Sequence, residues 1–203
     1  MDKLKRASDY IADGLYNAGC RYAFGMPGGE VLSVLDALKK SGIEFILCKH
    51  ENNGGHMAEG VYQRTGKLGV LLVTIGPGAT NIVNAVANSY QERVPLIVIT
   101  GCIDTEAESY YTHQVLDHQK VFAGVTKASF KVSAATIDIV VDKAIKIATT
   151  GQPGPVHIDV PVGMADVKVE PSLHNKTALP SAMVPAPTAD LLRAQELFAN
   201  SKK

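Results

Sequence analysis

Two rhythms of apolar residues alternate along this chain. Leu4, Ile11, Leu15 and Ala18 recur at helical spacing, and Gly19 ends the run. Tyr22-Ala23-Phe24 follows as a short strand, and Val31, Leu32, Val34, Leu35 and Leu38 outline a second helix closed by Gly42. From Ile43 onward apolar runs of strand length enter the pattern: Ile43–Cys48, Gly69–Ile75, Leu96–Thr100 and Val156–Val160. Helical segments predicted at Asn52–Thr65, Asn81–Gln91 and Ile137–Thr149 lie between them, with Thr80 or Asn81 placed to cap the second. Apolar strands alternating with helices imply a parallel sheet covered on both faces. The expected fold is a doubly wound α/β domain.

After Asp166 the pattern breaks. Pro171, Pro180, Pro185 and Pro187 stand among small and polar residues, which reads as a linker over residues 170–188. A helical stripe of Leu191, Leu192, Ala194, Leu197 and Phe198 follows Thr188-Ala189-Asp190. Only about a dozen residues lie beyond the linker, too few to build a core. The expected organisation is one domain over residues 1–169, the linker 170–188, and residues 189–203 as the truncated start of a next domain.

Composition narrows the function. The 203 residues are 46% hydrophobic and 20% charged, the balance of a globular protein with a core. Twenty Lys and Arg offset 20 Asp and Glu, so no net field steers nucleic acid or an anionic membrane. No basic cluster is interleaved with aromatics, and the apolar runs are far short of a membrane span. Neither nucleic acid nor membrane is an expected partner. The charged N-terminus lacks the apolar segment of a secretory signal. Cys20, Cys48 and Cys102 are odd in number and widely spaced, which reads as a reduced, cytoplasmic protein without a structural zinc site. Cys48 and Cys102 fall at predicted strand ends near the crevice described next, and small buried thiols are the expectation for both.

Three segments hold the candidate chemistry. Lys49-His50-Glu51 follows one predicted strand, Gly76-Pro77-Gly78-Ala79-Thr80-Asn81 follows the next, and Gly25-Met26-Pro27-Gly28-Gly29 precedes both. Open α/β sheets bind ligands at the carboxyl ends of their strands, and glycines there let backbone approach a ligand closely. The three segments outline one crevice with Glu51 in it. Alternatively, Glu51 caps the helix that starts near Asn52, where the helix dipole favours a carboxylate. No GxxxxGK[ST] loop or GxGxxG motif occurs, which argues against a plain nucleotide-binding domain.

These segments also carry a resemblance. Phe24–Gly29, His50-Glu51, Met57–Gly60, Thr65–Lys67, Gly76–Asn81, Val94–Gly101, Val125–Lys127 and Gly154–Pro161 stand in order and in register. Over roughly residues 4 to 168 the chain resembles the N-terminal pyrimidine-binding domain of thiamine diphosphate enzymes, in the acetolactate synthase and pyruvate oxidase branch. The resemblance implies that Glu51 hydrogen-bonds a ring nitrogen of the cofactor's aminopyrimidine. The imino tautomer then takes the thiazolium proton, and the resulting ylide attacks a 2-keto acid. It implies cofactor contacts from Gly25, Pro27, Gly28, Gly76, Thr80, Asn81 and Asn84. Gly29, His113 and Gln114 would lie on the substrate or facing-subunit side. The branch commonly has phenylalanine where His113 stands, which bears on the substrate.

His50 and His56 flank Glu51 and could relay protons or serve as hydrogen-bonded structure. Asn52-Asn53-Gly54-Gly55 departs from the resemblance, and its two glycines should weaken a helix by about 1 kcal/mol each. His157, beside Asp159 in a predicted strand, is expected to be a satisfied core histidine. The family holds diphosphate and Mg²⁺ with a Gly-Asp-Gly domain, which this sequence lacks, so no metal ligand is expected here. A homodimer or higher oligomer is expected, with the diphosphate-binding domain as a further partner and the isolated chain inactive. The competing reading is a non-catalytic dimerisation or regulatory module of the same fold.

Overall fold

The computed structural model describes residues 4–170 and 187–201. Its elements begin with β1 (Lys5–Arg6), α1 (Ala7–Asn17), β2 (Tyr22–Met26), α2 (Leu32–Ser41), β3 (Glu44–Leu47) and α3 (Glu51–Thr65). They continue with β4 (Gly69–Val73), α4 (Pro77–Asn81), α5 (Val83–Gln91), β5 (Leu96–Cys102) and α6 (His118–Phe122). The last are β6 (Ala128–Lys131), α7 (Ile137–Thr149), β7 (Pro155–Pro161), β8 (Lys168–Val169) and α8 (Thr188–Asn200).

Six strands form one sheet in the order β3-β2-β4-β5-β7-β6, and every pairing is parallel. β1 and β8 pair antiparallel apart from it. Strand β4 shows how the pattern builds the layers. Val70 and Leu72 enter a core with α1, α2 and α7, while Leu71 and Val73 enter a second core with α3, α4, α5 and Phe122 of α6. Side chains of a strand alternate between faces, so an all-apolar strand must be covered twice. The doubly wound α/β expectation holds.

The order of strands also places a crevice. β3 lies on one side of β2 and β4 on the other, so the connections diverge above β2 and β4. Such a switch point is where open sheets leave room for a ligand.

The structure corrects several local expectations. The helix expected over Asn81–Gln91 is two helices, because Pro77 starts α4 early in the turn at Gly76 and the chain breaks at Ile82. Neither Thr80 nor Asn81 caps α5. Its N-cap, Ile82, offers no side-chain bond, and Asn52 Oδ1 of α3 instead accepts the Ala85 N–H at 3.0 Å. A cap donated by a neighbouring helix has no local sequence signature.

Gly54 and Gly55 serve close packing. A Cβ on Gly55 would lie 2.5 Å from Ala85 Cβ, and one on Gly54 would lie 3.0 Å from both Gly25 N and Leu71 Cδ1. α3 can sit this near to α5 and to β2 only without those side chains, so packing offsets the helix penalty. Most of the expected linker, residues 171–186, falls outside the described residues. α8 forms where its stripe predicted, and none of its residues is buried. No helix among the described residues is long and apolar enough to cross a membrane.

Candidate functional site

Glu51 is set by the helix it opens. His50 is in extended backbone (φ −148, ψ 136) and its Nδ1 accepts the Asn52 N–H at 3.2 Å, so His50 is the N-cap of α3. Glu51 is therefore the first helical residue, and its carboxylate is free for another partner. Its Oε2 accepts from Asn81 Nδ2 of α4 at 2.9 Å, while Oε1 has no hydrogen bond among the described residues. The residue is 7% exposed, so a carboxylate stands almost buried at a helix N-terminus, where the backbone dipole favours its charge.

The other loops close on the same place. Thr74, just past β4, donates its hydroxyl to Glu30 Oε2 at 2.6 Å. A Cβ on Gly28 would lie 2.4 Å from Thr74 Oγ1. One on Gly78 would lie 2.7 Å from Thr74 Cγ2 and 3.6 Å from Glu51 Oε1. Loops leaving β2, β3 and β4 thus meet in one crevice, with glycines where they approach most closely.

Gly76 is the sharpest point of that crevice. Its backbone (φ 56, ψ −112) is one that only glycine adopts without strain, and its N–H donates to His118 Nε2 at 3.0 Å. Gln114 lies directly on it: a Cβ on Gly76 would come within 2.7 Å of Gln114 O. Gln114 itself has a left-handed backbone (φ 57), uncommon for a residue with a side chain.

The structure therefore brings together Glu51, Asn81, Gly28, Gly76 and Gln114. Gly25 belongs to β2, where a Cβ would lie 1.9 Å from Leu72 O, so it serves strand packing and is not part of the turn. Pro27 is half-buried in the turn after β2. Thr80 returns its hydroxyl to Pro77 O at 3.1 Å. Gly29, Asn84 and His113 are exposed. His56 Nδ1 is 3.6 Å from Glu59 Oε2 on its own helix.

Behind the crevice lies a buried polar chain that sequence reading did not assemble. Asp159 Oδ1 accepts from Thr100 Oγ1 at 2.6 Å and lies 3.0 Å from His118 Nδ1. Thr100 has one proton and gives it to Asp159. His157 Nε2–H therefore donates to Thr100 Oγ1 at 2.8 Å, and Ser129 donates to His157 Nδ1 at 2.7 Å. Burial pushes His157 down to about 4, with Asp159 opposing the shift and His118 adding to it. His157 is the satisfied core histidine that its strand predicted. The available signal was polar residues two apart in an apolar strand, which puts His157 and Asp159 on one face.

All three cysteines are buried and free. Burial pushes Cys20 up to about 12 and raises Cys102 as well, so neither is a nucleophile at neutral pH. Among the described residues no group of three or more His, Cys, Asp or Glu side chains is arranged to hold a metal ion.

Comparison with known proteins places the chain in a family. Residues 5–121 match the family described as thiamine pyrophosphate enzyme, N-terminal TPP binding domain. The chain is 42% identical over 156 residues to the acetolactate synthase large subunit of Buchnera aphidicola (Schizaphis graminum), covering 76% of this chain and 27% of that protein. It is 40% identical over 164 residues to acetolactate synthase isozyme 3 large subunit of Escherichia coli, covering 79% and 28%. It is 39% identical over 177 residues to the mitochondrial acetolactate synthase catalytic subunit of Saccharomyces cerevisiae, covering 86% and 25%. The chain thus spans about a quarter of the length of these curated relatives. This chain belongs to the family of N-terminal TPP-binding domains of thiamine pyrophosphate enzymes.

Proposed function

We propose that this chain is the cofactor-activating part of a thiamine diphosphate-dependent enzyme acting on 2-keto acids, by carboligation or decarboxylation. One observation carries the reading: an almost buried carboxylate, Glu51, with one oxygen fixed by Asn81 and the other without a partner among the described residues. When bound, the cofactor supplies the thiazolium carbon that adds to a keto carbonyl.

The donor set fits the group. A weakly basic ring nitrogen needs a carboxyl able to share a proton along one direction, and Oε1 of Glu51 is such an atom. Asn81 Nδ2 holds the carboxylate in place and Gly78 leaves the space beside Oε1 without a side chain. Gly28 and Gly76 permit close approach of backbone, and Gln114 reaches the crevice rim from the loop resting on Gly76. Diphosphate and Mg²⁺ would be held by another domain, since relatives are several times longer than the region they share with this chain. The chain alone should accordingly be inactive.

The test is turnover of pyruvate by this chain supplemented with a diphosphate-binding domain. Glu51→Gln keeps size and hydrogen bonding but cannot share the proton, and should lower the rate by about 10²–10⁴-fold. A Glu51→Gln variant as fast as the parent refutes the reading.

A further inference from the structure

The buried chain behind the crevice ends on the one backbone amide that shapes it. His118 Nε2 accepts the Gly76 N–H at 3.0 Å, and His118 Nδ1 lies 3.0 Å from Asp159 Oδ1. A ring nitrogen that accepts carries no proton, so the imidazole proton sits on Nδ1 and points to the carboxylate. Thr100 gives its only proton to the same carboxylate oxygen, so Asp159 is held at once from strand β5 and from helix α6. Each of the four residues Asp159, His118, His157 and Thr100 is less than 5% exposed. The geometry is over-determined, as a fixed tautomer in a dry site should be.

We infer that His118 is a positioning residue: as the Nδ1–H tautomer anchored by Asp159, it locks the strained Gly76 turn and with it Asn81, Glu51 and Gln114. Three observations lead there. Gly76 has a conformation that must be enforced from outside, and the amide taken by His118 is its own. The helix that begins in this turn, α4, ends at Asn81, whose amide fixes the Glu51 carboxylate. The loop carrying Gln114 runs into α6 four residues later at His118, and Gln114 packs on Gly76 in a strained backbone of its own. One imidazole therefore secures both sides of the crevice, the Glu51 side through the turn and the Gln114 side through the chain. A purely structural histidine would have no reason to spend its acceptor on a turn amide rather than on the core.

The catalytic importance of this lock rests on the proposed role of Glu51; the lock itself does not. Two measurements separate them. On the 203-residue chain, nitrogen-15 spectra of the imidazoles read the tautomer, and amide exchange reads the turn. The expected result is His118 protonated at Nδ1, with a slowly exchanging Gly76 amide. In His118→Phe, Gly76 exchange should rise by about tenfold or more and the Asn81 side-chain amide should shift, as one lost hydrogen bond predicts. His118→Gln should restore both, because its amide places a donor and an acceptor about one carbon apart, like the two ring nitrogens. His157→Gln, elsewhere in the same chain of bonds, should alter stability without moving the Gly76 or Asn81 signals. A wild-type His118 protonated at Nε2, or a Gly76 amide in fast exchange, overturns the inference even if the phenylalanine variant fails to fold. So does a folded His118→Phe with both signals unchanged.

In the turnover assay His118→Phe should lower kcat by about 10–100-fold, as a misplaced reacting geometry does, and leave the KM for pyruvate unchanged. His118→Gln should recover the rate. If Glu51→Gln has no effect while the Gly76 signals respond as expected, the Glu51 reading fails and the lock stands. If Glu51→Gln abolishes turnover while His118→Phe changes neither kcat nor the spectra, the lock alone fails.

Discussion

Mild acid should destabilise this domain through His157. The ring is fully buried between Thr100 and Ser129 and is pushed down from 6.5 to about 4, first by burial, with Asp159 pulling the other way and His118 adding to the fall. Unfolding returns it to water, where it takes a proton near 6.5. Between those values the unfolded chain binds a proton that the folded chain refuses, so stability must fall as pH falls. The contribution is complete above about 6.5, declines through the window, and is gone below about 4. A gap from 6.5 to about 4 corresponds to about 3 kcal/mol, at roughly 1.4 kcal/mol per unit. Domains of this kind are stable by only about 5–15 kcal/mol, so the loss is large enough to read.

Urea unfolding followed by far-ultraviolet dichroism, from pH about 7.5 down to about 4.5, measures it directly. His157→Gln has no charge to gain and can still bond to Thr100 and Ser129, so its profile should lack this slope. The salt-bridged carboxylates do not confuse the window. Hydrogen bonds from Arg6, Lys40 and Lys120 hold Asp9, Asp36 and Asp117 below the ordinary value of 3.8, so their contributions are lost only at lower pH. A wild-type free energy that stays flat through the window, or a slope unchanged in His157→Gln, refutes the assignment.

Gly55→Ala should destabilise the domain by about 1–3 kcal/mol despite alanine's higher helix propensity, because the new Cβ would lie 2.5 Å from Ala85 Cβ. Adding Ala85→Gly should recover part of that loss in the melting temperature, and a Gly55→Ala chain as stable as the parent contradicts the packing argument. The isolated chain should bind thiamine diphosphate no better than about millimolar, since one charge-assisted hydrogen bond of roughly 1.5–3 kcal/mol faces the loss of motional freedom. Calorimetry that gives micromolar binding would show a diphosphate site within this chain. A homodimer should form through the helices around Met57–Tyr62 and Ile82–Tyr90, where Met57 and Tyr90 are exposed. Light scattering that finds only monomer at high micromolar concentration rules this out.

The layers of the fold were legible because its central strands are apolar on both faces, and that pattern has one solution. Leu71 and Leu72 announce two cores before either is seen. Ile137–Thr149 was legible to the residue for the matching reason, an apolar stripe at helical spacing with nothing competing for it. The edges were not. β6 runs Ala128-Ser129-Phe130-Lys131 with every residue half-buried, so its alternation is weak, and α6 is a single turn and a half that no stripe can mark. Local capping logic failed at α5 because Asn52 reaches it from another helix. Sequence neighbours cannot report a bond between residues brought together by the sheet.

The same division separates the parts of the site. Glu51 was legible because strand, polar break and helix follow one another along the chain. What holds it was not: Asn81 is thirty residues away, and the histidine behind the turn lies further still. Topology sets ligand-facing groups at strand ends, so linear order can nominate candidates such as Glu51. Their supports come from whichever elements the fold stacks behind those ends, here β5, β7 and α6 through Thr100, Asp159 and His118. The glycines divide the same way. Gly28 and Gly76 mark turns that a sequence pattern can name, whereas Gly54, Gly55 and Gly25 permit contacts that exist only once β2, α3 and β4 have met. The glycine pair Gly54-Gly55, unhelpful to an isolated helix, is therefore a packing solution. Its consequence is that α3 carries Glu51 into the crevice on a helix pressed against β2, β4 and α5 rather than one free to shift.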